Sequence, residues 1–146
     1  MSQPAGAKIV GGEPRGWNAP HNSVPTNEFD LHIQNSHVIT SNQRQNHFVK
    51  ATHTKHIRTL ARATATNWGF TPMYIAHAVV YVSFQDERRR DLHNYFPTIK
   101  ACIDGFVDAD LITDDDHTKL IGPDVRVGGK SQKGFTTLHF EFREVA

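Results

Sequence analysis

The sequence predicts a mixed α/β (α+β) fold, a single small domain in which one mixed sheet packs against two main helices. Apolar and polar residues alternate in residues 29–33 and 135–145, as is typical of half-buried strands. Residues 46–66 and 97–109 instead carry apolar residues at helical spacing, and residues 75–84 are a β-branched and aromatic run typical of a central strand. A chain of 146 residues is long enough for one such domain.

The first elements are an arm and a strand. Residues 1–27 are rich in glycine, proline and polar residues without a period of 2 or 3.6, which predicts a flexible arm and leaves residues 28–146 as the folded domain. Residues 29–33 predict the first strand, and residues 38–40 suggest a second, shorter one. The next element is helix one, over residues 46–66.

Helix one presents a basic face opposite its apolar face. The basic side chains are Lys50, Lys55, Arg58 and Arg62. Two interpretations remain open, since basic faces of helices are often simply solvated, whereas a face of this kind also suits the phosphates of DNA. Lys50 and Arg58 are the candidates for DNA contact on this helix.

Helix two is the clearest element. Ile99, Cys102, Ile103, Phe106 and Val107 follow i, i+3, i+4, i+7, i+8 spacing, and Pro97 suits the first turn. Lys100 and Asp104 on the other face are spaced to form an ordinary surface ion pair. Cys102 is the single cysteine, which excludes an intramolecular disulfide and a thiolate zinc site.

The C-terminal part predicts a strand near residues 124–127, a turn at Gly128 and Gly129, and a last strand over residues 135–145. Leu138, Phe140 and Phe142 alternate with polar residues and should face the core. The opposite side, which carries Thr137, His139, Glu141 and Arg143, is expected to be solvated or to meet a partner.

Charge and hydropathy bound the function classes. The net charge of +1 does not by itself indicate nucleic-acid binding, so any basic surface must be local. No apolar stretch approaches the roughly 20 residues of a membrane-spanning helix, and the first residues lack a signal peptide's basic and apolar regions. A cytoplasmic protein that does not bind membranes is expected.

Two acidic clusters flank helix two. Asp91 precedes it and Asp115 follows it, and clustered carboxylates suit a hard cation such as Mg²⁺. The helix is about 18 Å long and residues 110–115 in extended form cover about as much, so a segment doubling back would return Asp115 to Asp91 and Lys100. Arginines 88–90 would then lie beside a metal and bind phosphate oxygens. The alternative is an ordinary solvated acidic loop in which Asp114 only caps a turn.

The region from Arg88 to Asp115 resembles the active-site region of the RusA family of Holliday junction resolvases. The residues that carry this resemblance are Arg-Arg-Arg-Asp-Leu-His-Asn at 88–94, Lys-Ala-Cys-Ile-Asp-Gly-Phe at 100–106, and the pair Asp114-Asp115. Ser41-Asn42, before a basic helix, is similar to the family's N-terminal Ser-Asn turn. The resemblance covers most of residues 29–144.

The resemblance implies a small mixed α/β homodimer that depends on Mg²⁺ or Mn²⁺ and makes paired nicks in four-way DNA junctions. Asp91 and Asp115 match metal-binding aspartates, Lys100 matches the catalytic lysine, and Asp114 matches a secondary position. Arg88, Arg89, Arg90 and Asn94 fall where contacts with branched DNA are expected. These roles are expectations from the resemblance.

His93 departs from the family pattern. It stands where a second aspartate is expected, so a neutral nitrogen ligand replaces a charged oxygen ligand. Imidazole suits Mn²⁺, Fe²⁺ or Zn²⁺ better than Mg²⁺, so His93 is a candidate ligand, proton carrier or cause of lost activity. A junction-binding module with weakened cleavage is therefore the alternative function, and a protein unrelated to DNA is a third.

The remaining aromatic residues and histidines carry less information. Trp68 is expected to be a core residue or loop anchor, whereas Tyr95 is expected beside the site, where it could stack on an unpaired base. His53 and His56 do not complete a zinc ligand set with a third spaced histidine or cysteine.

Overall fold

The computed structural model describes residues 24–145, so nearly all of the predicted arm lies outside the described residues. Four strands form one mixed sheet, and two helices pack on one of its faces. The strands are β1 (Asn27–Gln34), β2 (Ala76–Phe84), β3 (Leu120–Lys130) and β4 (Phe135–Glu144), and the helices are α1 (His47–Trp68) and α2 (Phe96–Asp108). The predicted fold class, with two main helices on a mixed sheet, is confirmed.

The strands lie in the order β1-β4-β2-β3. β4 pairs antiparallel with both β1 and β2, while β2 and β3 are parallel. A parallel pair needs a crossover connection, and α2 provides it. β2 is central and almost wholly buried, as its continuous apolar run predicts.

Phe106 of α2 joins the helical layer to the sheet. Its ring lies 5.5 Å from that of Phe29 on β1, and 5.1 and 5.2 Å from those of Phe140 and Phe142 on β4. The neighbouring Gly105 allows α1 to approach closely, because a Cβ there would lie 2.3 Å from the Arg58 carbonyl oxygen. α2 therefore packs against both α1 and the sheet.

The predicted short strand at residues 38–40 is wrong. A 3₁₀ turn (Asn35–His37) follows β1, and the next residues are an extended segment outside the sheet. The Ile39 backbone bonds to Thr98 on α2 and not to a neighbouring strand. The Thr98 Oγ1 accepts the Ile39 N–H and donates to the Ile39 carbonyl, both at 2.8 Å. This contact ties the segment to the first turns of α2.

The turn predicted at Gly128 and Gly129 is also wrong, because both residues lie within β3. The chain instead turns after Lys130, and Gly134 there has a φ of 87°. Gly128 has a packing role, since a Cβ at this position would lie 2.5 Å from the Ser83 hydroxyl of β2. A glycine that permits close approach within a strand is easily mistaken for a turn residue.

Two further predictions need correction. Glu141 and Arg143 lie on the outer face of β4, as the alternation predicts, but they are only 2% and 5% exposed. Of the two expected surroundings, solvent or a partner, solvent is therefore wrong for these two residues. Trp68, expected in the core or as a loop anchor, is 80% exposed at the end of α1. Within residues 24–145, no helix combines the length and apolar character needed to cross a bilayer.

Candidate active site

The segment after α2 reverses direction through a Schellman turn. Asp110 adopts a φ of 68°, the Leu111 N–H donates to the Phe106 carbonyl at 3.1 Å, and the Asp110 N–H donates to the Val107 carbonyl at 2.9 Å. Leu111 and Ile112 are then fully buried, and the Leu111 carbonyl accepts the Met73 N–H. This anchoring directs the acidic residues 114–116 back along the helix.

The return of Asp115 to the first turns of α2 is confirmed by its contact with Lys100. The Lys100 Nζ lies 2.6 Å from Asp115 Oδ2 and 2.5 Å from Asp104 Oδ1. Desolvation lowers the pKa of Lys100, but its bonds to the two carboxylates raise it further, so the net shift is upward. The Lys100 hydrogen bond also lowers the pKa of Asp115. Both the expected surface pair with Asp104 and the expected approach to Asp115 therefore occur.

Asp91 caps a 3₁₀ turn, Leu92–Tyr95, that continues directly into α2. Its Oδ1 accepts the His93 N–H at 3.1 Å and lies 3.3 Å from the His93 Nδ1. The His93 side chain is almost completely exposed. Asp91 and His93 thus form a local pair at the same end of α2 as Lys100.

The three arginines are not equivalent. Arg90 is largely buried, its guanidinium lies 4.4 Å from the centre of the Phe84 ring, and it donates to the Asp86 and Arg88 carbonyls. Asp86 accepts from Arg90 and Arg88, and the Arg88 backbone N–H is the main cause that lowers its pKa to about 2. Arg90 therefore organises the loop. Arg89 and Arg88, which also bonds Asp86, are exposed.

The Ser41-Asn42 turn packs against the loop that carries Asp91. The Ser41 N–H donates to the Asn94 carbonyl at 2.8 Å, and the Asn94 N–H donates to the Asp91 carbonyl at 3.0 Å. Tyr95 packs its ring 5.0 Å from that of Phe84, which anchors the 3₁₀ turn to β2. Ser41 and Asn94, 53 positions apart in sequence, are thus adjacent in the fold.

The basic face of α1 is only partly available. Lys50 is exposed, but the Arg58 guanidinium bonds both carboxylate oxygens of Asp108, at 2.5 and 2.8 Å. The Asp108 hydrogen bond is the main cause that raises the pKa of Arg58, and the reciprocal bond lowers that of Asp108. Arg58 therefore joins α1 to α2, and Lys50 is the freer of the two candidates for DNA contact.

The predicted ligands Asp91, His93 and Asp115 do not form a compact set. Within residues 24–145, ligand atoms from three residues lie within 4.8 Å of one another only at Glu28, His139 and Glu141, on the outer face of the sheet. Mg²⁺ nevertheless keeps several waters and needs only one or two carboxylates from the protein. Asp91 and Asp115 carry accessible carboxylates of the kind that this requirement calls for, and Asp115 would share its charge between Lys100 and the ion.

An open cavity of about 680 Å³ lies between the arginine loop and β3. Its lining includes Asp86, Arg88, Arg90, Leu92 and Gly128.

Comparison with protein-family models found no match to this chain, and comparison with curated proteins found none either.

Sequence reasoning missed the cluster around His139 and the structural use of Arg90 and Arg58. Glu28 and Glu141 are 113 positions apart and meet only because they are opposite in the β1/β4 register, which the sequence does not reveal. The sequence did contain one sign that Arg90 is engaged within the protein. Asp86 lies four residues before it, which is the spacing of the observed ion pair.

Proposed function

We propose that this chain is a metal-dependent endonuclease that hydrolyses phosphodiesters in branched DNA, as its resemblance to the RusA family implies. The observation that supports this most is the bond between Lys100 and Asp115, 15 residues apart and brought together by the buried Leu111-Ile112 anchor. An ordinary surface pair would need only Asp104. A lysine shared by two carboxylates, on the helix that follows the exposed arginines in sequence, suits the stabilisation of charge that develops on a phosphate.

Each residue has a distinct role in this proposal. Asp91 and Asp115 would hold Mg²⁺ or Mn²⁺, which supplies an activated water and neutralises phosphate charge when bound. Lys100 holds Asp115 ionised and places an ammonium beside the scissile phosphate. Arg88 and Arg89 bind the neighbouring phosphates, and Asn94 holds the Asp91 turn through its backbone. A homodimer with two such sites would make paired nicks.

The second candidate is a junction-binding module with little or no cleavage. The observation that favours it is His93, which is exposed and turned towards Asp91 without forming a compact ligand set with Asp115. Charge and shape alone would then give the affinity. His93→Asp should in that case raise Mg²⁺-dependent cleavage, because it supplies the missing charged oxygen.

The test is cleavage of a synthetic four-way junction against linear duplex, with Mg²⁺ and with Mn²⁺. Wild type should make paired, junction-selective nicks, and Asp91→Asn should remove them while retaining binding. Glu87→Gln is the matched control, since it removes one exposed negative charge from the same loop and should leave cleavage intact.

Two other outcomes would contradict the proposal. Tight junction binding without nicks under either metal would support the binding module. An absence of salt-dependent affinity for any DNA would remove both candidates, because phosphate contacts always release counterions.

A further inference from the structure

The outer face of the sheet contains a second cluster of titratable groups, well separated in sequence from the Asp91–Asp115 region. In the β1/β4 register Glu28 lies directly opposite Glu141, and Asp30 lies opposite His139. Like charges directly opposite across two strands destabilise a sheet. A positive charge near both carboxylates would relieve the repulsion between Glu28 and Glu141.

The two nitrogens of His139 have different surroundings. Nδ1 lies 2.6 Å from Asp30 Oδ1, a short charge-assisted hydrogen bond. Nε2 lies 3.3 Å from Glu141 Oε2 and 3.4 Å from Glu28 Oε1, longer than the 2.7–2.9 Å typical of such bonds. Nε2 is thus directed between two carboxylates without a close bond to either.

These longer distances match the edges of a metal coordination shell. In a tetrahedral site with metal–ligand bonds of about 2.0–2.1 Å, adjacent ligand atoms lie about 3.3–3.4 Å apart. The Asp30 bond also matches the usual support of a metal-binding histidine, in which a carboxylate accepts the N–H of the ring nitrogen opposite the metal. Asp30 would hold the tautomer that leaves Nε2 free to bind an ion.

The charges around the cluster are unbalanced. Among the described residues, Glu28, Asp30 and Glu141 supply three formal negative charges. Arg143 supplies one positive charge and His139 a second only when it is protonated, and the Glu141 side chain is only 3% exposed. Arg143 bonds the other oxygen of Glu141, Oε1, at 3.0 Å, which leaves Oε2 directed at the cluster. A divalent cation at this position would supply the missing positive charge.

We propose that Glu28, His139 and Glu141 form a binding site for a divalent cation of the zinc class, with Asp30 as the positioning residue for His139. One imidazole and two carboxylates suit Zn²⁺ or Mn²⁺ and disfavour Mg²⁺, which prefers an all-oxygen shell. An open cavity of about 410 Å³, lined by Glu28, Asp30, His32 and His139 among others, gives an ion a path to the site. The ion would join the edge strand β1 to β4 and stabilise the sheet.

The competing explanation is an ion network that needs no metal, with a protonated His139 serving as the cation. That network would keep His139 and all three carboxylates paired. Among the described residues, His139 and Arg143 would then balance the buried charge of Glu141. The two explanations differ in one measurable property, which is stoichiometric affinity for Zn²⁺.

The experiment is calorimetric titration of Zn²⁺ into the chelator-treated full-length protein that carries Asp91→Asn and Asp115→Asn. These substitutions remove the carboxylates proposed at the active site, so that site's failure and this one's are distinguishable. We expect one Zn²⁺ per chain, a rise in Tm with Zn²⁺, and no comparable rise with Mg²⁺ at the same concentration.

Four further variants assign the ligands. Glu28→Gln and His139→Gln should weaken Zn²⁺ binding by about 100-fold or more, and Asp30→Ala by about 10- to 100-fold because it removes the support of the ring. His47→Gln, which changes an exposed histidine of α1, is the matched control and should bind as the parent does.

Glu28→Gln keeps the proposal testable if His139→Gln fails to fold. In chelator Glu28→Gln should be at least as stable as its parent, because it removes the repulsion with Glu141, while its Zn²⁺ binding should still be lost. Absence of stoichiometric Zn²⁺ binding in the parent would overturn the proposal. Equal affinity in the parent, Glu28→Gln and His139→Gln would also overturn it.

Discussion

Two clusters of charged residues in this chain differ in how they are built. The cluster at the start of α2, with Asp91, Lys100 and Asp115, is exposed and lies on one helix and its flanking loops. The cluster around His139 lies on two paired strands and is more deeply buried. The first is open to a large ligand, such as the DNA of the proposed function, whereas the second has room only for a small ion.

The order of residues along the chain reveals the first cluster, whereas only the register of paired strands reveals the second. The first cluster occupies 25 consecutive positions, so its residues can be recognised together in the sequence. The second joins residues more than 100 positions apart, and each of them appears in the sequence only as an ordinary polar position of an alternating strand.

The largest expected effect is that of Phe106→Ala, which should destabilise the shared core and so disrupt both clusters. Phe106 contacts β1, β4 and the α2 core, so its loss should lower the free energy of unfolding by about 3–5 kcal/mol. Chemical denaturation measures this change. A loss below about 1 kcal/mol would mean that the two clusters do not share one core.

Lys100→Ala should impair the first cluster and leave the second intact. We expect junction cleavage to fall by about 100- to 1000-fold, because a positioned charge at a developing anion is removed. Zn²⁺ binding at the His139 cluster should be unchanged. Single-turnover cleavage and calorimetry on the same preparation make the comparison. Lys133→Ala, which removes an exposed lysine from the turn between β3 and β4, is the matched control for loss of one lysine charge.

Thr98→Val should loosen the first cluster without touching its charged residues. The Thr98 hydroxyl makes two buried hydrogen bonds with the Ile39 backbone, so its loss should cost about 1–3 kcal/mol of stability. Hydrogen exchange should rise at Ile39. Unchanged exchange there would show that the 38–40 segment is held by packing alone.

The second cluster should make stability depend on pH in a defined direction. Bonds from Asp30 and Glu141 outweigh desolvation and raise the pKa of His139 from about 6.5 to about 9, while the His139 bond lowers that of Asp30. The His139 contribution is therefore complete below pH 6.5 and is lost as the pH rises through 9; the Asp30 contribution is lost as the pH falls below its ordinary value of 3.8. In chelator, the Tm of wild type should fall between pH 6.5 and 9.

His139→Gln should flatten that fall in Tm, since glutamine does not titrate. The His47→Gln variant should retain it. A His139→Gln curve that parallels wild type over this range would show that another group causes the change.

The smallest expected effect is that of Arg58→Gln. Its ion pair with Asp108 is partly exposed, so the free energy of unfolding should fall by less than about 1 kcal/mol. A double-mutant cycle with Asp108→Asn measures the coupling. Lys50→Gln should reduce the salt dependence of DNA binding more than Arg58→Gln does, because the Arg58 guanidinium is already bonded to Asp108. A larger reduction in Arg58→Gln would show that Arg58 is the main DNA contact on α1.

Much of the fold was predictable because its signals are local. The helical spacing of Ile99, Ile103 and Phe106 and the alternation in β4 each depend on residues that are neighbours within one element. The errors occurred where a tertiary contact decides the outcome, as at Gly128, which serves close packing against Ser83, and at residues 38–40, which bond to Thr98.

By itself the sequence determined the two helices, the fold class, and the order of the arginines, Asp91, Lys100 and Asp115. Only the tertiary structure decided that Arg90 and Arg58 are engaged within the protein, and that Glu28, His139 and Glu141 meet. The physical reason is that periodicity reports which face of an element is apolar, whereas the pairing of polar groups depends on strand register and helix packing. Those are settled only when the whole core assembles.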